Sequence, residues 1–161
     1  MRLAIAIALV TFVLDQVTKW VVVDRMALAQ RGAIDVFPPY LNLRMAWNDG
    51  VNFGLGDFLG RWVLVGIALV IVVLVIWWVR RETHKRWVMI SAGLLIGGAL
   101  GNVVDRVFRA QHAVADFLNM SCCGIENPYA FNVADITIFL GAIGLVIFAG
   151  DGTGDDKRRK G

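Results

Sequence analysis

Charge is scarce in this sequence, and what there is lies in clusters. Only 18% of the 161 residues are charged, against about a quarter in soluble globular domains. The formal net charge of +3 comes with no continuous basic face, which excludes a nucleic-acid reader, so no nucleic-acid partner is expected. The two histidines, His84 and His112, have no ligand spacing with cysteines or acid clusters. No metal and no other cofactor is therefore expected. The two cysteines, Cys122 and Cys123, are adjacent. A bond between neighbours is strained, so they read as a surface pair with no assigned role rather than a disulfide framework. An internal repeat of the kind that many membrane carriers show is also missing.

What the chain has instead is apolar surface. It is 58% hydrophobic, with a mean hydropathy of +0.65. Four apolar runs stand out, at residues 3–23, 62–79, 87–104 and 133–150. The second and third are each 18 residues without Lys, Arg, Asp or Glu. At about 1.5 Å per residue such a run spans about 27 Å, close to the thickness of a hydrocarbon core. The second is rich in Val and Ile, but its length favours a spanning helix over a buried strand. The first run has Arg2 before it and Ala27-Leu28-Ala29 after it, in the manner of a cleaved leader. Asp15, Lys19, Asp24 and Arg25 intervene, so it reads as a retained helix. The expectation is one integral-membrane domain over residues 1–161, an all-α bundle of four transmembrane helices, with a disordered tail at about 151–161.

Orientation follows from the basic residues. Residues 80–86 hold four Lys or Arg in seven, and residues 157–160 are all basic. The two other connections are poorer, with four in the 38 residues 24–61 and two in the 28 residues 105–132. The positive-inside rule puts both termini and the 80–86 loop in the cytoplasm and the two long connections outside. The polar residues then gather at one depth. Asp15 and Lys19, spaced i,i+4, share a helix face near the outer boundary. Asn102, Asp105 and Arg106 do the same at the end of the third run, and Asn132 and Asp135 at the start of the fourth. Arg106 is expected to pair with Asp105 or Asp15. In the first outer connection Pro38-Pro39 breaks any helix, residues 40–45 partly alternate as a strand would, and Asn48-Asp49-Gly50 carries turn chemistry. A small β-sheet on the membrane surface is expected there, with Trp47, Phe53 and Phe58 at the interface. Asp116, on a loop, and Asp135, at a helix start, are the costly carboxylates of the outer layer. Two carboxylates that meet can activate a water molecule. A proton or ion relay would need a polar path across the membrane, and these residues form a layer. A scaffold of ion pairs accounts for Asp15–Lys19 and leaves Asp116 and Asp135 unexplained.

Five blocks carry a resemblance. They are Asp15-Gln16-Val17-Thr18-Lys19, Asn48-Asp49-Gly50-Val51-Asn52-Phe53, residues 97–106 (GGALGNVVDR), Val114-Ala115-Asp116-Phe117, and Phe131-Asn132-Val133-Ala134-Asp135. In this order they resemble the lipoprotein signal peptidases, the signal peptidase II family of bacterial inner-membrane aspartyl endopeptidases. The resemblance implies removal of the signal peptide from prolipoproteins, with the cut just before the diacylglyceryl-modified cysteine. It implies Asp116 and Asp135 as the catalytic pair, and Asn102, Asp105, Arg106 and Asn132 as residues shaping the active site. Asp15 and Lys19 are implied to support it, and Asn48 to belong to an outer β-cradle above it. The implied partners are lipidated precursors and membrane lipid; no oligomer is implied.

Overall fold

The computed structural model of the protein describes residues 1–50, 56–82 and 85–149. Helix α1 (Arg2–Lys19) continues through a π-helical stretch, Trp20–Arg25. A short α2 (Leu28–Arg31) leads into β1 (Ala33–Phe37) and β2 (Leu41–Asn48). Then come α3 (Gly56–Glu82), α4 (Arg86–Phe108), β3 (Val114–Asn119) and α5 (Val133–Ala149). Among the described residues, three stretches are long and apolar enough to cross a membrane: Arg2–Arg25, Gly60–Arg81 and Arg86–Phe108. The fourth apolar run forms the shorter α5, 17 residues long.

The burial pattern is inverted relative to a water-soluble bundle. On α1 the buried residues are Ala4, Thr11, Asp15 and Lys19, a narrow stripe of small and polar side chains. Leu9, Val10, Val13, Leu14 and Val17 face outward. Apolar residues outside and polar ones inside is the arrangement lipid imposes, because polar groups there must find partners within the protein. Helix α4 is the centre, packed against α1, α5 and α3. Small residues allow that approach. A Cβ on Gly93 would meet the carbonyl of Ala4, and one on Gly97 the carbonyl of Ala8. An apolar cluster of Ala4, Val72, Val79, Val88, Ala92 and Ile96 fills the half of the bundle remote from the sheet.

The sheet is antiparallel, in the order β1-β2-β3, and packs Leu43, Ala115 and Phe117 against Val23 and Leu28. Its register changes part-way. Asn42 pairs with Asn119 and Leu43 with Leu118, but then Ala46 pairs with Asp116 and Asn48 with Val114. The extra residue between Leu43 and Ala46 is a β-bulge, which shifts every later β2 side chain to the other face of the sheet. Asn48 thereby shares a face with Asp116, diagonally across the ladder.

Several expectations change. Asp116 lies on strand β3, not on a loop; Val114–Asn119 is recruited as a strand by pairing with β2. Helix α4 runs on to Phe108, so Asp105 and Arg106 lie in its last turn and Asn102 just before it. Trp47 is half-buried and packs on the sheet's apolar cluster. Phe53, His84, the side chain of Phe58 and the tail lie outside the described residues.

Candidate functional site

The site is a polar layer where α1, α4, β2, β3 and the start of α5 meet. Its base is a buried ion cluster. Lys19 is fully buried, and its ammonium group carries three donors. One goes to Asp15 Oδ2 at 2.9 Å, one to Asp105 Oδ2 at 2.8 Å and one to Asn102 Oδ1 at 3.2 Å. Asp15 and Asp105 are both fully buried. The second positive charge comes from Arg109, whose Nε donates to Asp105 Oδ1 at 3.1 Å. Gln16 donates to Asp15 Oδ2 and to the Gly101 carbonyl. Two buried carboxylates thus face two cations, and such a cluster is tolerable only when its hydrogen bonds are this complete.

Each carboxylate of the cluster also reaches across to another element. Asp15 Oδ1 accepts from the backbone N–H of Ala134 at 3.0 Å, one of the N–H groups left free at the start of α5. Asp105 Oδ2 accepts from the backbone N–H of Ala115 at 3.1 Å. Ala134 precedes Asp135 and Ala115 precedes Asp116. One lysine therefore anchors, through two carboxylates, the residue before each of the two upper aspartates.

Asparagine amides hold the upper aspartates. Asn132 caps α5 in a reciprocal box: its Oδ1 accepts from the Asp135 N–H at 2.9 Å, and Asp135 Oδ2 accepts from the Asn132 N–H at 3.2 Å. That fixes the other edge of the Asn132 amide, whose Nδ2 donates to Asp116 Oδ1 at 2.6 Å. Asn102 is oriented in the same way. Its Oδ1 faces the Lys19 ammonium, so its Nδ2 donates to Asp135 Oδ1, at 3.0 Å. Asn48 Nδ2 donates to Asp116 Oδ2 at 3.0 Å, while Asn48 Oδ1 accepts from the Gly50 N–H in a local turn. Burial, and after it the charge of Asp135, raises the Asp116 carboxyl to about 6, against the opposing hydrogen bonds from Asn48 and Asn132. Asp135 sits in the first turn of α5, where the helix dipole favours negative charge.

The model of the signal peptidase (SPase) II family matches residues 7–149. The chain belongs to that family. Relatives described as lipoprotein signal peptidases include one from Methylobacterium sp. (strain 4-46), 40% identical over 148 residues, covering 90% of this chain and 87% of the relative. One from Symbiobacterium thermophilum is 38% identical, covering 89% and 91%, and one from Rhodopseudomonas palustris is 39% identical, covering 90% of each. Two solved structures described as bacterial membrane enzymes are each 27% identical to this chain. They have TM-scores of 0.73 and 0.77, covering 98% and 93% of this chain and 91% and 94% of theirs. Family and fold agree on a bacterial membrane protein that processes lipoproteins as a peptidase.

The structure brings together Asp15, Lys19, Asn48, Asn102, Asp105, Asn132, Asp116 and Asp135 in one hydrogen-bonded layer. Arg106 departs from its expected role. It has no carboxylate within 4 Å among the described residues, and its buried Nε has no hydrogen-bond partner. Lys19 and Arg109 occupy the places beside Asp15 and Asp105. Arg106 lies within electrostatic reach of Asp116 and Asp135 and, after them, of Asp105. Arg109 and Gln16 join the site beyond the residues that the sequence predicts for it. Arg109 stands i,i+4 from Asp105, a spacing that marks a pair on one helix face; Gln16 carried no such signal.

Proposed function

We propose that this chain is an intramembrane aspartyl endopeptidase that removes the signal peptide from prolipoproteins by cutting before the diacylglyceryl-modified cysteine. Asp116 and Asp135 are its catalytic pair. The observation that carries the reading is the Asn132 side chain, which donates to Asp116 and is locked reciprocally to Asp135. A single amide thus ties two carboxyl groups whose charges oppose one another.

The pair titrates as a unit and shares one proton at working pH. Burial, and after it the neighbouring charge of Asp135, favours the protonated form of Asp116. The ionised member of the pair takes a proton from water as the water attacks the scissile carbonyl, and the protonated member gives its proton to the carbonyl oxygen. The tetrahedral intermediate collapses: the leaving amine takes the proton from one carboxyl group while a hydroxyl of the intermediate gives its proton to the other, so the pair again shares one proton. Asn48, Asn102 and Asn132 hold the carboxyl groups in register, and Lys19, Asp15 and Asp105 hold their backbones.

In the membrane all four long helices cross. Helix α5, at about 1.5 Å per residue, reaches about 25 Å, which local thinning of the bilayer accommodates. The termini and the 80–86 loop are cytoplasmic, and the sheet and the aspartates lie at the outer boundary. A substrate can then keep its lipid in the bilayer while its scissile bond sits at the interface.

The test is cleavage of a purified diacylglyceryl-modified precursor. Asp116→Asn and Asp135→Asn should each fold, bind the precursor and lose at least ~1,000-fold in kcat. Turnover by either variant within about tenfold of the parent would sink the assignment.

A further inference from the structure

A groove runs along the outside of the bundle between α1 and α3, floored by α4. Both α1 and α3 pack on α4, which leaves a furrow of about 430 Å³ between them. Leu9 and Phe12 of α1, Ile76 and Arg80 of α3, and Ile96 and Leu100 of α4 line it. It extends along α1 from Met1 to Phe12, about 16 Å at the helical rise. That is about half of a hydrocarbon core of roughly 30 Å, the depth of one leaflet. The charged side chain in its lining, Arg80, stands at the leaflet's polar edge with no carboxylate within 4 Å among the described residues. Its neighbour Arg81 is engaged over the Trp77 ring at 4.4 Å.

We propose that this groove is a binding site for one anionic phospholipid of the leaflet at the Arg80 end, with an acyl chain along the furrow and the phosphate on Arg80. Charge selects this occupant over the signal-peptide helix of a precursor. The leading segment of a signal peptide is basic and would meet Arg80 as a like charge, while a phosphate meets a guanidinium that no carboxylate of the described residues approaches within 4 Å. The lipid fills the space between two helices that both pack on α4, so it is a structural ligand remote from Asp116 and Asp135. The site stands independently of the reaction assigned above.

The test is native mass spectrometry of the full chain, released from detergent after equilibration with equimolar phosphatidylglycerol and phosphatidylcholine of identical chains. One phosphatidylglycerol should be retained with a preference of about fivefold, what one arginine at an anionic surface supplies. Arg80→Gln should remove the preference, leaving melting in lipid-free detergent and precursor cleavage unchanged. Leu100→Trp, which fills the floor, should reduce retention of both lipids. Equal retention by the parent chain, or a preference that survives Arg80→Gln, would overturn the proposal. So would cross-linking of a photoreactive group at position 9 to the hydrophobic segment of a bound precursor.

Discussion

Asp116 is 3% exposed, accepts hydrogen bonds from two asparagines and neighbours a second carboxylate. A carboxyl raised to about 6 from 3.8 binds its proton more tightly in the folded chain than in the unfolded one. Between those two values the folded state holds more protons, so stability falls as pH rises through that window, and the ionised group is a burden above it. Asp116→Asn should therefore be more stable than the parent at pH 8, by about 1–3 kcal/mol. The advantage should shrink below pH 6 and vanish near pH 4. Thermal unfolding in detergent across that range measures it, and a difference that does not change with pH would refute the proposed cause. The gain has a limit, since an asparagine offers one acceptor where Asp116 uses two, and the exposed Asn48 amide must turn to compensate. A residue that lowers stability where it sits is a common mark of a site kept for chemistry.

Among the elements, the joints matter more than the helices. Lys19 joins α1 to α4 directly and, through Asp15 and Asp105, joins both to α5 and β3. Lys19→Met keeps the volume and leaves two buried carboxylates with one cation between them, so it should cost about 3–5 kcal/mol. Chemical denaturation in detergent measures this. A loss under ~1 kcal/mol would show that the cluster does not hold the elements together. Much of this layer was legible beforehand, because i,i+3 and i,i+4 spacing predicts neighbours along one helix and hydropathy predicts which helices lie in lipid. Partners across helices were not legible. Whether Lys19 or Arg106 meets Asp105 depends on the rotation of α4 against α1, which the contacts of Gly93 and Gly97 set and no local spacing encodes. Strand β1 and the bulge in β2 were illegible for the same reason: Ala33–Phe37 is mostly exposed and lacks a clean alternation, and a register shift exists only once two strands are paired.

For the whole molecule, the proposed orientation puts the sheet and the loop after β3 outside. Cys122 and Cys123 are exposed free thiols on that loop, so the chain carries its own topological reporter. A membrane-impermeant maleimide should label both in cells whose outer barrier has been opened and whose cytoplasmic membrane is intact. Double replacement by Ser should abolish the labelling and leave cleavage unchanged, since neither thiol touches the site. Labelling only after the cytoplasmic membrane is permeabilised would invert the proposed topology, sheet and site together.

The two anchors set by Lys19 have one more consequence. Residues 115 and 134 are gripped from the helix side, and Leu118 and Phe131 close the chain on itself just beyond them. The excursion between, turning at Cys122–Ile125, therefore lies outside a closed frame, tied to Asn119 and to the Pro39 carbonyl rather than to the aspartates. A change of length at its Cys122–Ile125 turn is thus insulated from the spacing of the centre it connects.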